Sequence, residues 1–283
     1  MMFTAWISTV ALLLAAPPAS LVRFDELQKQ LDDPVLRILD ARPEADYSAG
    51  HLPGAVWVDV KAAEKLAAKP AGLRDSQAWS AWLAPLGISP KSRVLVYDGN
   101  RQLDAARTWW LLRYLGVADV GLIDGNLPLW VKQSRPLTKD LPKVTPSSIE
   151  VRFHDERHAT RAEVLAAIKS NDTVVIDARS EPEHTGAVAK SKRGGRIPDS
   201  CHLEWNTLVN TDGQFLEDNA IKAKLAKLGV KPGQSIVTHC QGGGRASVDA
   251  FAFEHLGFPT KNYYLGWSDW GNVEETPVVT GKP

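Results

Sequence analysis

The feature that most constrains this chain is that it repeats itself once. Leu83–Asp98 reads LAPLGISPKSRVLVYD and Leu225–Cys240 reads LAKLGVKPGQSIVTHC; the two align without a gap at an offset of 142 residues. Leu83/Leu225, Ala84/Ala226, Leu86/Leu228, Gly87/Gly229 and Pro90/Pro232 are identical. Each copy reads as a helix end, a glycine stop, a proline-containing turn and a β-strand. Other matches keep the same order. Leu39-Asp40-Ala41-Arg42 parallels Ile176-Asp177-Ala178-Arg179, Gly50-His51-Leu52-Pro53 parallels Gly195-Arg196-Ile197-Pro198, and Leu115-Gly116 parallels Leu256-Gly257. Solenoid repeats run about 20–50 residues, so a period this long means tandem domains.

The 283 residues suit two domains of about 130 each. The first is expected over 21–135 and the second over 158–283. Between them, 136–157 is rich in proline and charge, which suits an extended, exposed connector. The second domain is expected to open a helix at Thr160, with Glu163 completing a capping box. Short apolar runs at Val35–Leu39, Val94–Tyr97, Val174–Ile176 and Ile236–Thr238 alternate with helical segments. Continuous apolar runs of this length fit strands buried on both faces. The fold class is therefore α/β: two tandem domains, each a mostly parallel sheet flanked by helices.

Composition removes several function classes. Lys+Arg and Asp+Glu number 33 each, so the net charge is zero and a strongly basic nucleic-acid binder is excluded. Two cysteines make neither a disulfide framework nor a four-thiolate zinc site, and no metal site is expected. No run of 18 or more apolar residues is present, so no membrane-spanning segment is expected in the mature protein. Residues 1–20 resemble a signal peptide: Phe3–Ala16 is nearly all apolar and small residues follow, although no Lys or Arg precedes Arg23. That reading places the protein in the periplasm; a mis-chosen start codon would leave it in the cytoplasm.

The chemistry concentrates in Ser235–Asp249, SIVTHCQGGGRASVD. An apolar strand runs into Cys240. Gln241, Gly242, Gly243, Gly244 and Arg245 follow, and then a helical pattern. Glycines let successive backbone N–H groups turn inward as a nest, and the helix start adds positive partial charge. Arg245 brings a planar fork of donors suited to an oxyanion. The same field favours the thiolate, the nucleophilic form of cysteine. His239 should point to the other side of the strand and is not expected to act as a base. A free cysteine is more often a small buried apolar residue, and Cys201, which lacks a glycine loop, is read that way. A Cys201–Cys240 disulfide requires a proximity that spacing does not establish. In the first domain Asp98 stands at the Cys240 position, followed by Gly99-Asn100-Arg101-Gln102. A carboxylate is no soft nucleophile toward sulfur. Inward N–H groups are expected to hold it ionised, and that domain is read as non-catalytic.

With these residues in view, the chain resembles the rhodanese superfamily of sulfurtransferases in its tandem-domain form. The resemblance covers nearly everything after Leu21. It rests on the Asp-Ala-Arg strand ends at Asp40 and Asp177, Gly50–Ala55, the six-residue loop Cys240–Arg245, and Gly266-Trp267-Ser268-Asp269-Trp270-Gly271. It implies a catalytic cysteine in the carboxy-terminal domain, Cys240, and a non-catalytic amino-terminal domain. It implies transfer of sulfane sulfur from a small anionic donor through a persulfide on Cys240 to cyanide, a small thiol or a protein thiol, with no metal or organic cofactor. The mercaptopyruvate branch has a loop of the type Cys-Gly-Ser/Thr-Gly-Val-Thr and an arginine where this chain has Glu183. A carboxylate there is poor company for a carboxylate donor, so thiosulfate is the expected donor and 3-mercaptopyruvate the alternative. The glycine triplet leaves the pocket wall bare and admits broad specificity. Asp177 and Arg179 read mainly as a structural ion pair and secondarily as support for the site. Lys192, Arg193 and Arg196 form a basic cluster that either draws anions to the cleft or is a solvated loop.

Two rivals belong to other classes. A cysteine-dependent phosphatase also runs from His-Cys to an arginine, but needs five residues between them; here four separate Cys240 from Arg245. A persulfide carrier would share the loop and hand its sulfur to a protein acceptor.

Overall fold

The structure is a computed structural model and describes residues 19–147 and 149–282. The apolar Phe3–Ala16 segment lies outside the described residues. In the first domain β1 (Ser20–Val22), β2 (Leu36–Asp40), β3 (Val56–Trp57), β4 (Arg93–Tyr97) and β5 (Asp119–Ile123) form a parallel sheet ordered β1-β5-β4-β2-β3. In the second, β6 (Thr173–Asp177), β7 (Cys201–His202), β8 (Ser235–His239) and β9 (Thr260–Tyr263) form a parallel sheet ordered β7-β6-β8-β9. The two registers repeat one another: Asp40 pairs with Tyr97 as Asp177 pairs with His239. The central apolar runs of the sequence are these central strands; β4, β6 and β8 are longer by a residue or two, and β2 is shifted by one. β3 and β7 have two residues each, too few to leave a periodic signature.

The helix after each central strand carries the interface. Leu103–Tyr114 and Gly244–His255 pack against each other across the domains. Trp109 meets Phe251 edge to face at 5.0 Å, and Trp110 stacks on Tyr264 at 4.7 Å. One apolar core runs from Leu39 and Trp79 in the first domain to Ile221 and Phe253 in the second. Large aromatic side chains dominate such contacts.

The connector is largely exposed, but its backbone and its apolar side chains anchor it to the first domain. Ser147 N–H donates to Ala84 O at 2.9 Å, Arg152 N–H to Leu115 O at 3.1 Å, and His154 N–H to Tyr114 O at 2.9 Å. Val144, Ile149, Val151 and Phe153 lie half-buried against the core. The apolar residues spaced through this charged stretch hold it along the first domain. At Thr160 the expected capping box is present, with Glu163 returning to the Thr160 N–H at 2.7 Å.

Candidate active site

β8 delivers Cys240 to the carboxyl end of the second sheet, where it is 2% exposed. Its carbonyl accepts from Trp267 N–H at 2.7 Å, and Gln241 O accepts from Ser268 N–H at 2.9 Å, so the Gly266–Trp270 helix pins one side of the loop. Gly243 turns the chain at φ +83°, and a Cβ there would collide with the Tyr264 ring. The Gly244–His255 helix then begins. Among the described residues, the backbone N–H groups of Gln241, Gly242, Gly243 and Arg245 meet no acceptor. Free N–H groups at a helix start, in the loop that follows a cysteine, are the donors an anion cradle needs. Gln241 adds no side-chain donor to it, because its amide turns away to Ser191 Oγ (3.1 Å) and Lys190 O (3.3 Å). Nothing lies within 4 Å of a Cβ built on Gly242, so the wall there is bare.

Arg245 is engaged elsewhere than expected. Its fork donates to both carboxylate oxygens of Glu183, at 2.6 and 2.9 Å, and Lys190 Nζ lies 3.3 Å from the same carboxylate. Burial would raise the Glu183 carboxyl, but the donors on Arg245 and Ser180 hold it down at about 2. Glu183 is also the capping-box residue of the Glu181–Thr185 helix, accepting from Ser180 Oγ at 2.8 Å. The Ser-x-x-Glu spacing was legible in sequence; its meeting with Arg245 was not.

Asp177 and Arg179 form a buried bidentate pair, and Arg179 Nη2 donates to Gly195 O at 2.8 Å. The guanidinium lies over the Trp267 ring at 4.3 Å. His184 Nδ1 is 2.8 Å and His239 Nε2 3.8 Å from Asp177. The first domain repeats the device: Arg42 grips Asp40 and donates to Gly50 O at 2.7 Å, while the Tyr97 hydroxyl caps Asp40. A pair present in both domains fixes a turn in both, which is the structural role. Burial pushes the His239 imidazole down to about 4; it faces Asp177, as strand alternation requires.

The two arginines of the basic cluster are engaged outside the Cys240 loop. Arg196 Nη1 donates to Gly281 O at 2.6 Å, and Arg193 donates to Trp270 O at 2.9 Å and Thr276 O at 2.8 Å. These arginines satisfy carbonyls of the C-terminal segment. Cys201 donates weakly to Leu228 O at 3.6 Å, and both cysteines are free.

At the matching point of the first domain, Asp98 fills its own loop. It accepts from the N–H groups of Asn100 (2.9 Å), Gln102 (3.3 Å), Asp104 (3.1 Å) and Ala105 (3.3 Å). Burial outweighs these donors and pushes the carboxyl up to about 6, so the N–H groups do not hold it in the ordinary carboxylate range. A loop of the second domain covers the site, with Asp212 O accepting from Asn126 N–H at 2.9 Å and Gly213 O from Gln102 Nε2 at 2.6 Å.

Two features escaped the sequence. Arg107, on the first domain's interface helix, reaches Gly242 O at 2.8 Å and the Tyr264 hydroxyl at 2.9 Å; an arginine inside an apolar helical run was its only trace. Asp249 is fully buried with neither oxygen hydrogen-bonded to the protein. Burial and the neighbouring Cys240 and Asp177 hold its carboxyl well above the usual range.

Comparison with known proteins agrees with this geometry. A family model described as a rhodanese-like domain matches twice, at residues 23–133 and 160–272. A thiosulfate sulfurtransferase of Azotobacter vinelandii is 33% identical over 256 residues, covering 89% of this chain and 94% of its own. The sulfur carrier protein TtuD of Thermus thermophilus is 32% identical over 285 residues, covering 94% of this chain and 99% of its own. The crystal structure of SseA from Escherichia coli, described as a 3-mercaptopyruvate sulfotransferase, superposes with a TM-score of 0.74 at 26% identity, covering 88% of this chain and 99% of its own. With both domains matched and the loop geometry in place, the chain belongs to the rhodanese-like family in its tandem-domain form.

Proposed function

We propose that this protein is a sulfurtransferase that takes its sulfur from thiosulfate. Sulfurtransferase activity is the common ground of the relatives named for an enzymatic reaction. The Cys240 thiolate attacks the outer sulfur of thiosulfate. The S–S bond breaks, sulfite leaves with the bonding pair, and Cys240 holds a persulfide. Cyanide or a thiol then attacks the terminal sulfur and the thiolate returns; with cyanide the product is thiocyanate. The free N–H groups of the loop stabilise negative charge through both steps. No metal or organic cofactor takes part.

The observation that carries this reading is the set of unpartnered N–H groups around a buried cysteine at a helix start. The choice of donor rests on Glu183. Its carboxylate stands where the mercaptopyruvate branch has an arginine and it also holds Arg245 and Lys190, so the cation that branch offers to a substrate carboxylate is missing. Thiocyanate formation compares the donors directly. Thiosulfate is expected to exceed 3-mercaptopyruvate at least tenfold in kcat/KM, and the reverse order refutes the donor assignment.

A carrier role is the second reading, supported by the likeness to TtuD. It predicts stoichiometric loading of Cys240 with negligible turnover to cyanide.

A further inference from the structure

We infer that Arg107 of the first domain is a positioning residue for the Cys240 loop, so that the non-catalytic domain completes the active site. The inference rests on the function proposed above and adds a part that the second domain does not contain. Arg107 is only 9% exposed. One nitrogen, Nη1, donates to Gly242 O at 2.8 Å and to the Tyr264 hydroxyl at 2.9 Å; the other, Nη2, pairs with Glu64 at 2.9 Å. The guanidinium lies so close to Gly244 that a Cβ on that residue would collide with it. Tyr264, whose ring lies against Gly243, is itself stacked on Trp110 of the same first-domain helix.

Burying a guanidinium is costly unless its donors are met; both terminal nitrogens of Arg107 are met, and Nε is not. Matching the two interface helices end to end puts Val248 where the first domain has Arg107, so packing this interface does not require a cation. The charge is placed instead on a loop carbonyl. By gripping the Gly242 carbonyl, Arg107 fixes the peptide plane that this carbonyl shares with the Gly243 N–H. A loop so held keeps its donors in place before a sulfur anion arrives, which is what preorganised stabilisation demands. Glu64 balances the buried charge, so the contribution of Arg107 is orientation more than net field.

The test uses the full chain and three variants, Arg107→Gln, Arg107→Lys and Tyr264→Phe. Single-turnover loading of Cys240 by thiosulfate is expected to slow tenfold or more in Arg107→Gln. Arg107→Lys keeps a charged donor for Gly242 O and should recover most of that loss. Tyr264→Phe removes one partner of Arg107 without moving the ring and should slow loading two- to fivefold. Alkylation of Cys240 by iodoacetamide needs no sulfur donor, and its rate should change at least threefold in Arg107→Gln. A wild type that fails to load while its alkylation responds to Arg107→Gln would refute the sulfurtransferase reading and keep the positioning role. Loading and alkylation within twofold of wild type in Arg107→Gln would overturn the inference. So would equal losses in the Gln and Lys variants that merely track a loss of thermal stability.

Discussion

A carboxylate at position 183 decides what Arg245 can do. Both arms of the guanidinium are held by Glu183, so the arginine closes the loop as a latch and brings little net charge. Removing the carboxylate in Glu183→Gln should release the arginine toward the donor and lower KM for thiosulfate several-fold in steady-state assays; an unchanged KM contradicts the latch. The pair also has a pH signature. The folded-state value of Glu183 is about 2 against an ordinary 4.5. Its stabilisation, on the order of 3 kcal/mol, is therefore complete above about pH 4.5 and lost as pH falls toward 2. Acid unfolding followed by circular dichroism should lose part of its slope in that window in Glu183→Gln. The loop glycines are not equivalent either. Gly243→Ala must adopt φ +83° and meet the Tyr264 ring, which should destabilise the fold by about 2 kcal/mol or more. Gly242→Ala faces open space and should stay within about 0.5 kcal/mol of wild type. Denaturant titration separates the two, and equal losses would contradict this account of the loop.

Among the elements, the loops after β4 and β8 show how one supersecondary unit serves two ends. After β8 the loop leaves its N–H groups free; after β4 the Asp98 carboxylate takes four of them and Asp212–Gly213 seal the site. Asp98→Cys should therefore bind no second sulfur; a mass gain of two sulfur atoms after thiosulfate treatment would contradict that. Much of this scale was legible in the sequence. Val94–Tyr97 and Ile236–Thr238 are long enough apolar runs to declare buried strands, and the gapless match of the repeat placed Asp98 opposite Cys240. What stayed hidden depended on contacts between segments far apart in the chain. The Arg245–Glu183 clasp spans 62 residues and the Arg107–Gly242 bond 135, and no local pattern encodes either. Arg193 and Arg196 read as an anion lure or a solvated loop because a run of cations carries no sign of the carbonyls it will meet.

The molecule as a whole is joined by a core that ignores the domain boundary. Trp109 and Phe251 come from different repeats and pack edge to face, and the connector lies along the first domain. Calorimetry should accordingly show one cooperative transition. Trp109→Ala, which empties a fully buried site, should lower stability by roughly 3–5 kcal/mol and impair sulfur loading through the same interface; two separate transitions in the wild type would contradict a shared core.

The most direct measurement is the intact mass of the protein after thiosulfate, before and after cyanide, with the labelled peptide sequenced. A gain of one sulfur atom on the peptide that holds Cys240, removed by cyanide and absent in Cys240→Ala, is the predicted result. A protein whose mass does not change, or whose added sulfur sits on Cys201, contradicts the account.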